Sequence, residues 1–322
     1  MIRRLDSTKP NGFSENTEKN LYSAPDRRQE TEDRMICDTI IFDVDGVLWA
    51  AQDAYNQCTL FVARKLAQEN GWPDAGLALE HVMAFKRGGG FNSDWDMIWT
   101  LVVLLQARAA GRIPPERSWF DLVAENAGRG KSWAETYAGP DAPDLDELQR
   151  YYDAHYWGAD KYPEIYDAPP VVEYRPGFAH AERSYVQPDF FSRLRAAGVR
   201  QVGIITGRNR NEMRTTCAGL DFEGLLVEDA VFTHEDGQKP DPSLLERAIA
   251  TLGTDNVVMV GDSLDDLRLV LNYRRLPRQR QLAQVHAVAI DHDRSPQRWF
   301  NLGADGVLED VNQLPDWLRG RG

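Results

Sequence analysis

Residues 39–48 have the sequence TIIFDVDGVL, in which a short apolar run ends at two acids and a glycine. The run is rich in β-branched residues, as in a strand that a parallel sheet buries on both faces. Asp43 and Asp45 follow the run directly, and Gly46 permits a tight turn after them. Because open α/β sheets bind ligands beyond the carboxyl ends of their strands, the stretch predicts a buried strand with a candidate site at its end.

Three further runs are similarly short and apolar, and segments with a helical pattern lie between them. The runs are residues 201–205, 256–260 and 286–290. The spacing of apolar residues predicts helices within 188–197, 209–219 and 244–252. Because strands alternate with helices, we predict a doubly wound α/β fold with a parallel, Rossmann-like sheet.

The alternation stops between the first strand and the second, where the pattern is mainly helical. Loops rich in proline and glycine separate the helical segments, and Pro169-Pro170 precedes the return to the sheet. We therefore predict a helical domain inserted after the first strand. The predicted parts are a disordered tail at 1–35, a sheet core at 36–51 and 175–322, and the inserted helical domain at 52–174.

Composition excludes several classes of function. The 322 residues include 37 Lys and Arg against 50 Asp and Glu, a net charge of −13, which disfavours nucleic acid as a partner. No apolar run is long enough to span a bilayer, so we expect no membrane insertion. The three cysteines form no CxxC pair, which favours a reducing compartment, and we predict a cytoplasmic protein. The oligomeric state is not predicted.

Polar residues occupy four loops in the predicted sheet. Explaining each residue separately does not account for the whole set. Asp43 and Asp45 follow the first strand, Thr206 the second and Asp262 the third, and Lys239 lies in an intervening loop. Each alone is best explained as a helix cap or a solvated charge. Together, the clustered carboxylates require a cation, and oxygen ligands favour Mg²⁺. Thr206 and Lys239 could then hold phosphoryl oxygens, which indicates a metal-assisted reaction on a phosphate.

The chain resembles the haloacid dehalogenase superfamily of phosphohydrolases through four motifs in family order. They are residues 42–48 (FDVDGVL), 204–207 (IITG), 239–240 (KP) and 260–266 (VGDSLDD). The ending at 303–308 (GADGVL) is also similar to that of many members. The resemblance covers roughly residues 38–318 and implies a helical cap inserted after the first strand.

The resemblance also implies a role for each motif residue. Asp43 would attack phosphorus and form an aspartyl-phosphate, and Asp45 would protonate the leaving oxygen and later activate water. The implied Mg²⁺ ligands are Asp43, the main-chain carbonyl of Asp45, and Asp262, with Asp266 in support. The implied phosphate-binding residues are Thr206, Gly207 and Lys239.

Asp45 separates the possible reactions, because dehalogenases of this superfamily lack an acid at that position. We predict a Mg²⁺-dependent phosphomonoester hydrolase for a small phosphorylated metabolite, with a sugar phosphate as one option. One alternative is a phosphomutase or phosphotransferase with the same core chemistry. The other is a phospho-ligand-binding protein without turnover.

One segment of the predicted cap offers candidates for substrate specificity. A glycine run at 88–90 follows two basic residues, which could neutralise a distal anion of the substrate. An ordinary turn between helices explains the run equally well. The candidates are Lys86, Arg87, Asn92, Asp94 and Trp95. The segment 177–186 shows no helical period, and no structure is predicted for it.

Overall fold

A computed structural model describes residues 37–91, 93–173 and 176–320. Its main feature is a parallel sheet of six strands in the order β5-β4-β1-β6-β7-β8. The strands of this sheet are β1 (Thr39–Phe42), β4 (Gln201–Ile205), β5 (Leu226–Phe232), β6 (Asn256–Gly261), β7 (Gln284–Ile290) and β8 (Gly306–Leu308). A separate antiparallel pair consists of β2 (Trp49–Ala50) and β3 (Arg183–Ser184).

The first strand lies inside the sheet, paired with β4 on one side and β6 on the other, and both of its faces are covered. All four residues of β1 are buried. Ile40 and Phe42 pack in the core on one face, and Ile41 packs in a second core on the other. Alternation of side chains along a strand produces this division. The predicted doubly wound α/β sheet is confirmed.

Among the residues that the structure describes, six α-helices belong to the sheet layers and six lie between β2 and β3. The latter are α1 (Gln52–Asn70), α2 (Leu79–Gly88), α3 (Asp94–Ala109), α4 (Trp119–Asn126), α5 (Lys131–Ala134) and α6 (Leu145–Tyr166). The former are α7 (Phe190–Ala196), α8 (Arg210–Cys217), α9 (Pro242–Leu252), α10 (Leu264–Arg274), α11 (Pro296–Leu302) and α12 (Leu314–Leu318). We call helices α1–α6, together with their loops up to residue 173, the helical insert.

The helical insert has a hydrophobic core of its own. Helix α3 runs through its middle, and every residue from Met97 to Leu105 is buried. Trp119 and Trp133 are buried in the same core, where large aromatic side chains contribute much of the buried area. The presence of a helical cap is therefore confirmed, whereas the domain boundaries at 36–51, 52–174 and 175–322 stay a prediction.

The helical insert begins and ends beside the same short ladder. Ala50 pairs with Arg183 and Trp49 with Ser184, so the chain leaves the sheet and returns to it at one place. Before this return, Gly158 breaks α6 with a φ of 73°. A Cβ atom at Gly158 would lie 2.3 Å from the backbone nitrogen of Gly177, so both residues at this crossing need to be glycine.

The sequence patterns missed several elements. Strands β5 and β8 were not predicted from periodicity, because exposed acids interrupt β5 and β8 has only three residues. The unassigned segment 177–186 forms a 3₁₀ turn at Phe178–Ala181 and then β3. The tail at 1–35, predicted to be disordered, lies outside the described residues. Within the described ranges, no helix combines the length and the apolarity needed to cross a membrane.

Candidate active site

Asp43 lies buried at the end of β1, where it meets a lysine from another loop. Its backbone N–H donates to the carbonyl of Val260 at 2.9 Å, and its Oδ1 accepts from the N–H of Val44 at 2.7 Å. Its Oδ2 lies 2.8 Å from Nζ of Lys239. One oxygen is thus fixed by the backbone and the other by an ammonium group, which leaves the carboxylate in a single orientation.

Lys239 joins two of the predicted acids. Its Nζ is 2.8 Å from Asp43 and 2.7 Å from Oδ1 of Asp266. The other oxygen of Asp266 accepts from the N–H of Ser263 at 3.0 Å and from its hydroxyl at 2.6 Å, at the start of α10. Burial alone would lower the pKa of Lys239, but the two carboxylates raise it, so the lysine carries its charge.

Three carboxylates form one group at this edge of the sheet. Oxygens of Asp43, Asp262 and Asp266 lie within 4.8 Å of one another. Burial raises the pKa of Asp43 to about 7, against the attraction of Lys239. Burial and the neighbouring acids also raise the pKa of Asp262 well above its usual range. Three carboxylates therefore face one ammonium group, and this excess of negative charge suits a divalent cation.

The donor set of this group fits Mg²⁺ rather than a softer metal. All the side-chain donors are carboxylate oxygens, which hard cations prefer. The observed group differs by one residue from the three acids expected to cluster, which were Asp43, Asp45 and Asp262. The structure places Asp266 beside Asp43 and Asp262, whereas the side chain of Asp45 bonds to an arginine. The main-chain carbonyl of Asp45 as a ligand stays a prediction.

Arg208 binds the side chain of Asp45 in a forked arrangement. Its Nε lies 3.0 Å from each carboxylate oxygen, and its Nη2 lies 2.7 Å from Oδ1. Nη2 also donates to Glu182 at 2.8 Å. The side chains of Arg208 and Glu182 are only 1% and 4% exposed, whereas that of Asp45 is 26% exposed. The arginine is thus buried, and the carboxylate that it holds remains open on one side.

Thr206 and Gly207 form the loop beside Asp43. Thr206 is buried, and its hydroxyl accepts from the N–H of Arg208 at 3.2 Å. Gly207 is exposed, and a Cβ atom there would have no neighbour within 4 Å. The sheet therefore brings all six core candidates (Asp43, Asp45, Thr206, Lys239, Asp262 and Asp266) to one edge, with Gly207 open beside them.

A tight turn lets Asp262 approach the first loop. Gly46 has a φ of 74°, and a Cβ atom there would lie 1.9 Å from Oδ2 of Asp262. Its carbonyl is 2.6 Å from Nε2 of His292, whose ring stacks on Tyr185. The absence of a side chain at Gly46 therefore lets the carboxylate of Asp262, which directly follows β6, lie against the loop after β1.

The cap candidates lie in the helical insert, and one of them reaches the core. Lys86 pairs with Asp94, so each neutralises the other. Arg87 is exposed. The ring of Trp95 meets His234 of the core edge-on at 5.6 Å, and its N–H donates to Asp153 at 2.8 Å. Asn92 lies outside the described residues.

Four site residues were not identified from the sequence. Arg208 follows Thr206-Gly207 directly, so its place in the loop could have pointed to it. Glu182 lies in the segment that showed no period. Gln52 donates to Asp262 from the first turn of α1. His292 follows β7, and its ring bonds to the carbonyl of Gly46.

Comparison with solved structures finds the same fold in other proteins. A solved phosphatase from Thermococcus thioreducens, Tt82, has the same fold with a TM-score of 0.63 and 24% identity, over 88% of this chain and 99% of that one. A protein from Lactobacillus delbrueckii subsp. bulgaricus, named as a proposed phosphoglycolate phosphatase, gives 0.52 and 17%, over 88% and 99%. No curated protein sequence matches.

A family model decides the classification. The model for haloacid dehalogenase-like hydrolases matches residues 37–269, which is more than two thirds of the 322 residues. The match begins at the strand that carries Asp43 and extends through Asp266 on α10. It includes every loop that contributes Asp43, Lys239, Asp262 and Asp266, the group that we call the acidic edge. The chain belongs to the haloacid dehalogenase-like hydrolase family.

Proposed function

We propose that the protein is a Mg²⁺-dependent phosphomonoester hydrolase that acts on a small phosphorylated metabolite. The observation that carries the proposal is the contact of Lys239 with both Asp43 and Asp266, beside the carboxylate of Asp262. A nucleophile, a cation site and a fixed positive charge thus share one edge of the sheet. The names of the fold relatives support a phosphate ester as the substrate class.

Asp43 is the proposed nucleophile. One of its oxygens forms a bond to phosphorus while the bond between phosphorus and the ester oxygen breaks. The products of this step are an aspartyl-phosphate and the leaving alkoxide, which takes a proton from Asp45 and departs as the alcohol. The proton on Asp45 is then restored when it accepts one from the water that hydrolyses the intermediate.

The other residues of the edge hold the phosphoryl group. Lys239, Thr206 and the N–H of Gly207 are the proposed donors to its oxygens, because charged and backbone donors bind phosphate most strongly. Asp43, Asp262 and Asp266, with the carbonyl of Asp45, are the residues that would hold Mg²⁺. The cation would supply positive charge that offsets the carboxylates and the phosphoryl oxygens.

Phosphate release from a panel of phosphorylated metabolites with Mg²⁺ tests the proposal. Asp43→Asn should reduce release to background, because an amide does not attack phosphorus. The matched control is Asp38→Asn, which precedes β1 and pairs with the exposed Arg200 at 3.8 Å. We expect this control to keep activity within about twofold, since exposed pairs contribute little.

The products separate the proposal from its alternatives. Free phosphate from wild type, with none from Asp43→Asn, supports hydrolysis. An isomerised sugar phosphate without free phosphate would identify a mutase. Binding of phosphorylated ligands with no turnover of any of them would identify a phospho-ligand-binding protein.

A further inference from the structure

Arg208 is a buried cation whose donors are committed to protein partners. A guanidinium has five N–H groups. Those of Nε and Nη2 donate to Asp45 and Glu182, and one on Nη1 donates to the hydroxyl of Thr216. Four of the five are accounted for in this way. Arg208 is therefore placed to act on Asp45 rather than to bind the substrate phosphate.

The helical insert holds Arg208 from the other side. The guanidinium carbon lies 5.6 Å from the ring centre of Tyr55 on α1 and 5.8 Å from that of Trp157 on α6. Rings at this distance attract a cation through their faces. Tyr55 also stacks on Tyr156 at 4.4 Å with an interplanar angle of 2°. Two helices of the insert thus form one side of the pocket around the arginine.

Glu182 links the same helix to the arginine by hydrogen bonds. It accepts from Nη2 of Arg208, and its Oε1 also accepts from the hydroxyl of Tyr156. The side chain of Glu182 is only 4% exposed. A continuous chain of bonds therefore runs from Tyr156 through Glu182 and Arg208 to Asp45.

We propose that Arg208 is a positioning residue, which holds the carboxyl group of Asp45 for proton transfer and takes its own position from the helical insert. This inference rests on the proposed function and goes beyond it by naming what places the acid. When Asp45 gives its proton to the leaving alkoxide, a carboxylate remains, and the guanidinium stabilises that negative charge. A carboxyl oxygen offers two lone pairs, so the fork can be kept while the proton is present.

The dependence of kcat/KM on the leaving group tests the positioning role. A merely structural role of Arg208 would change kcat/KM for all leaving groups alike. A p-nitrophenolate leaves without a proton, whereas an alkoxide needs one. The value of kcat/KM covers the steps up to departure of the leaving group. We therefore compare kcat/KM for p-nitrophenyl phosphate with that for the alkyl phosphate that wild type hydrolyses fastest, both with Mg²⁺.

Arg208→Lys keeps the charge and removes the fork. We expect kcat/KM for the alkyl phosphate to fall about 100-fold, and that for p-nitrophenyl phosphate by less than about tenfold, given the usual contribution of a positioned acid. The matched control is Arg210→Lys at the first residue of α8, where the side chain pairs with Asp236 at 2.8 Å. It should leave the ratio of the two values unchanged.

Two milder variants test the link to the insert. Tyr156→Phe removes only the hydroxyl that donates to Glu182, and Glu182→Gln removes the charge opposite Arg208. Both should lower the alkyl-to-aryl ratio, by about three- to tenfold, with KM changed less than kcat. In an Asp45→Asn background, Arg208→Lys should lower the ratio no further, because the group that it positions is already lost.

The outcomes separate this inference from the proposed function. An unchanged ratio in Arg208→Lys, or in both milder variants if Arg208→Lys does not fold, overturns the positioning role. A further selective loss in the Asp45→Asn background overturns it as well. If wild type releases phosphate from neither substrate, the proposed function itself fails.

Discussion

At the scale of single residues, the buried carboxylates of the acidic edge lower the stability of the fold when they are charged. Asp43 and Asp266 are buried with one lysine between them, and Asp262 adds a third carboxylate. The raised pKa values of Asp43 and Asp262 show that burial costs these groups free energy when they are charged. Added positive charge should therefore stabilise this site when the carboxylates are ionised, which connects folding to the binding of a cation.

Lys239→Met should expose this dependence. Removing one partner of a buried pair leaves uncompensated charge, so we expect the free energy of unfolding without metal to fall by about 3 kcal/mol. Added Mg²⁺ should restore more stability to the variant than to wild type, because the cation then supplies the missing charge. Urea unfolding with and without Mg²⁺ measures both quantities.

The matched control for Lys239→Met is Lys161→Met. Lys161 forms an exposed pair with Glu164 at 3.3 Å, so its loss should cost less than about 1 kcal/mol with or without Mg²⁺. An equal stability loss for Lys239→Met in both conditions would contradict the link between Lys239 and a cation site.

Gly46→Ala tests the close approach of Asp262. The new Cβ atom would collide with its carboxylate, so we expect phosphate release to fall at least 100-fold as Asp262 is displaced. Gly71→Ala is the control, since Gly71 has a similar φ of 69° but open space around an added Cβ. Both changes should cost about 1 kcal/mol of stability through backbone strain. Comparable activity in the two variants would refute the steric explanation.

At the scale of elements, helix α2 depends on a histidine for its start. Nδ1 of His81 accepts the N–H of Ala78 at 2.9 Å, which satisfies a donor that precedes the helix. The acceptor must be unprotonated, and burial lowers the pKa of His81 below its ordinary value of 6.5. The beginning of α2 should therefore weaken in acid.

His81→Phe tests this helix start through pH. The neutral histidine is favoured in the fold, so its contribution is present above pH 6.5 and is lost as pH falls through the lowered pKa. Well above pH 6.5, the variant should be less stable than wild type by about 1 kcal/mol. The difference should shrink well below pH 6.5. A difference that does not change with pH, measured by urea unfolding, would be evidence against the cap.

At the scale of the whole molecule, periodicity predicted the elements that are long and apolar. Residues 201–205 and 256–260 were identified as strands because burial on both faces demands continuous apolar runs. Strand β5 was not predicted, because the exposed Glu228 and Asp229 interrupt its apolar run. The loop candidates could be predicted because strand ends meet at one edge, which topology alone guarantees.

The partners of Asp45 could not be predicted in the same way. Arg208 lies 163 positions from Asp45 in sequence, and Glu182 reaches it only through the return from the helical insert. Such a contact depends on how two layers pack, and no periodic signal along one segment records that. Sequence reasoning therefore found the groups proposed for the chemistry and missed those that hold them in place.

The ladder between β2 and β3 has a consequence for how this fold diversifies. Because Ala50 and Arg183 are paired directly, the two ends of the intervening chain are already side by side. A segment joined at adjacent points can be shortened, lengthened or exchanged without moving any strand of the parallel sheet. The acidic edge can thus be inherited while the helices of the insert are exchanged, provided that each new insert again holds Arg208 against Asp45. New substrate preferences can evolve within that constraint.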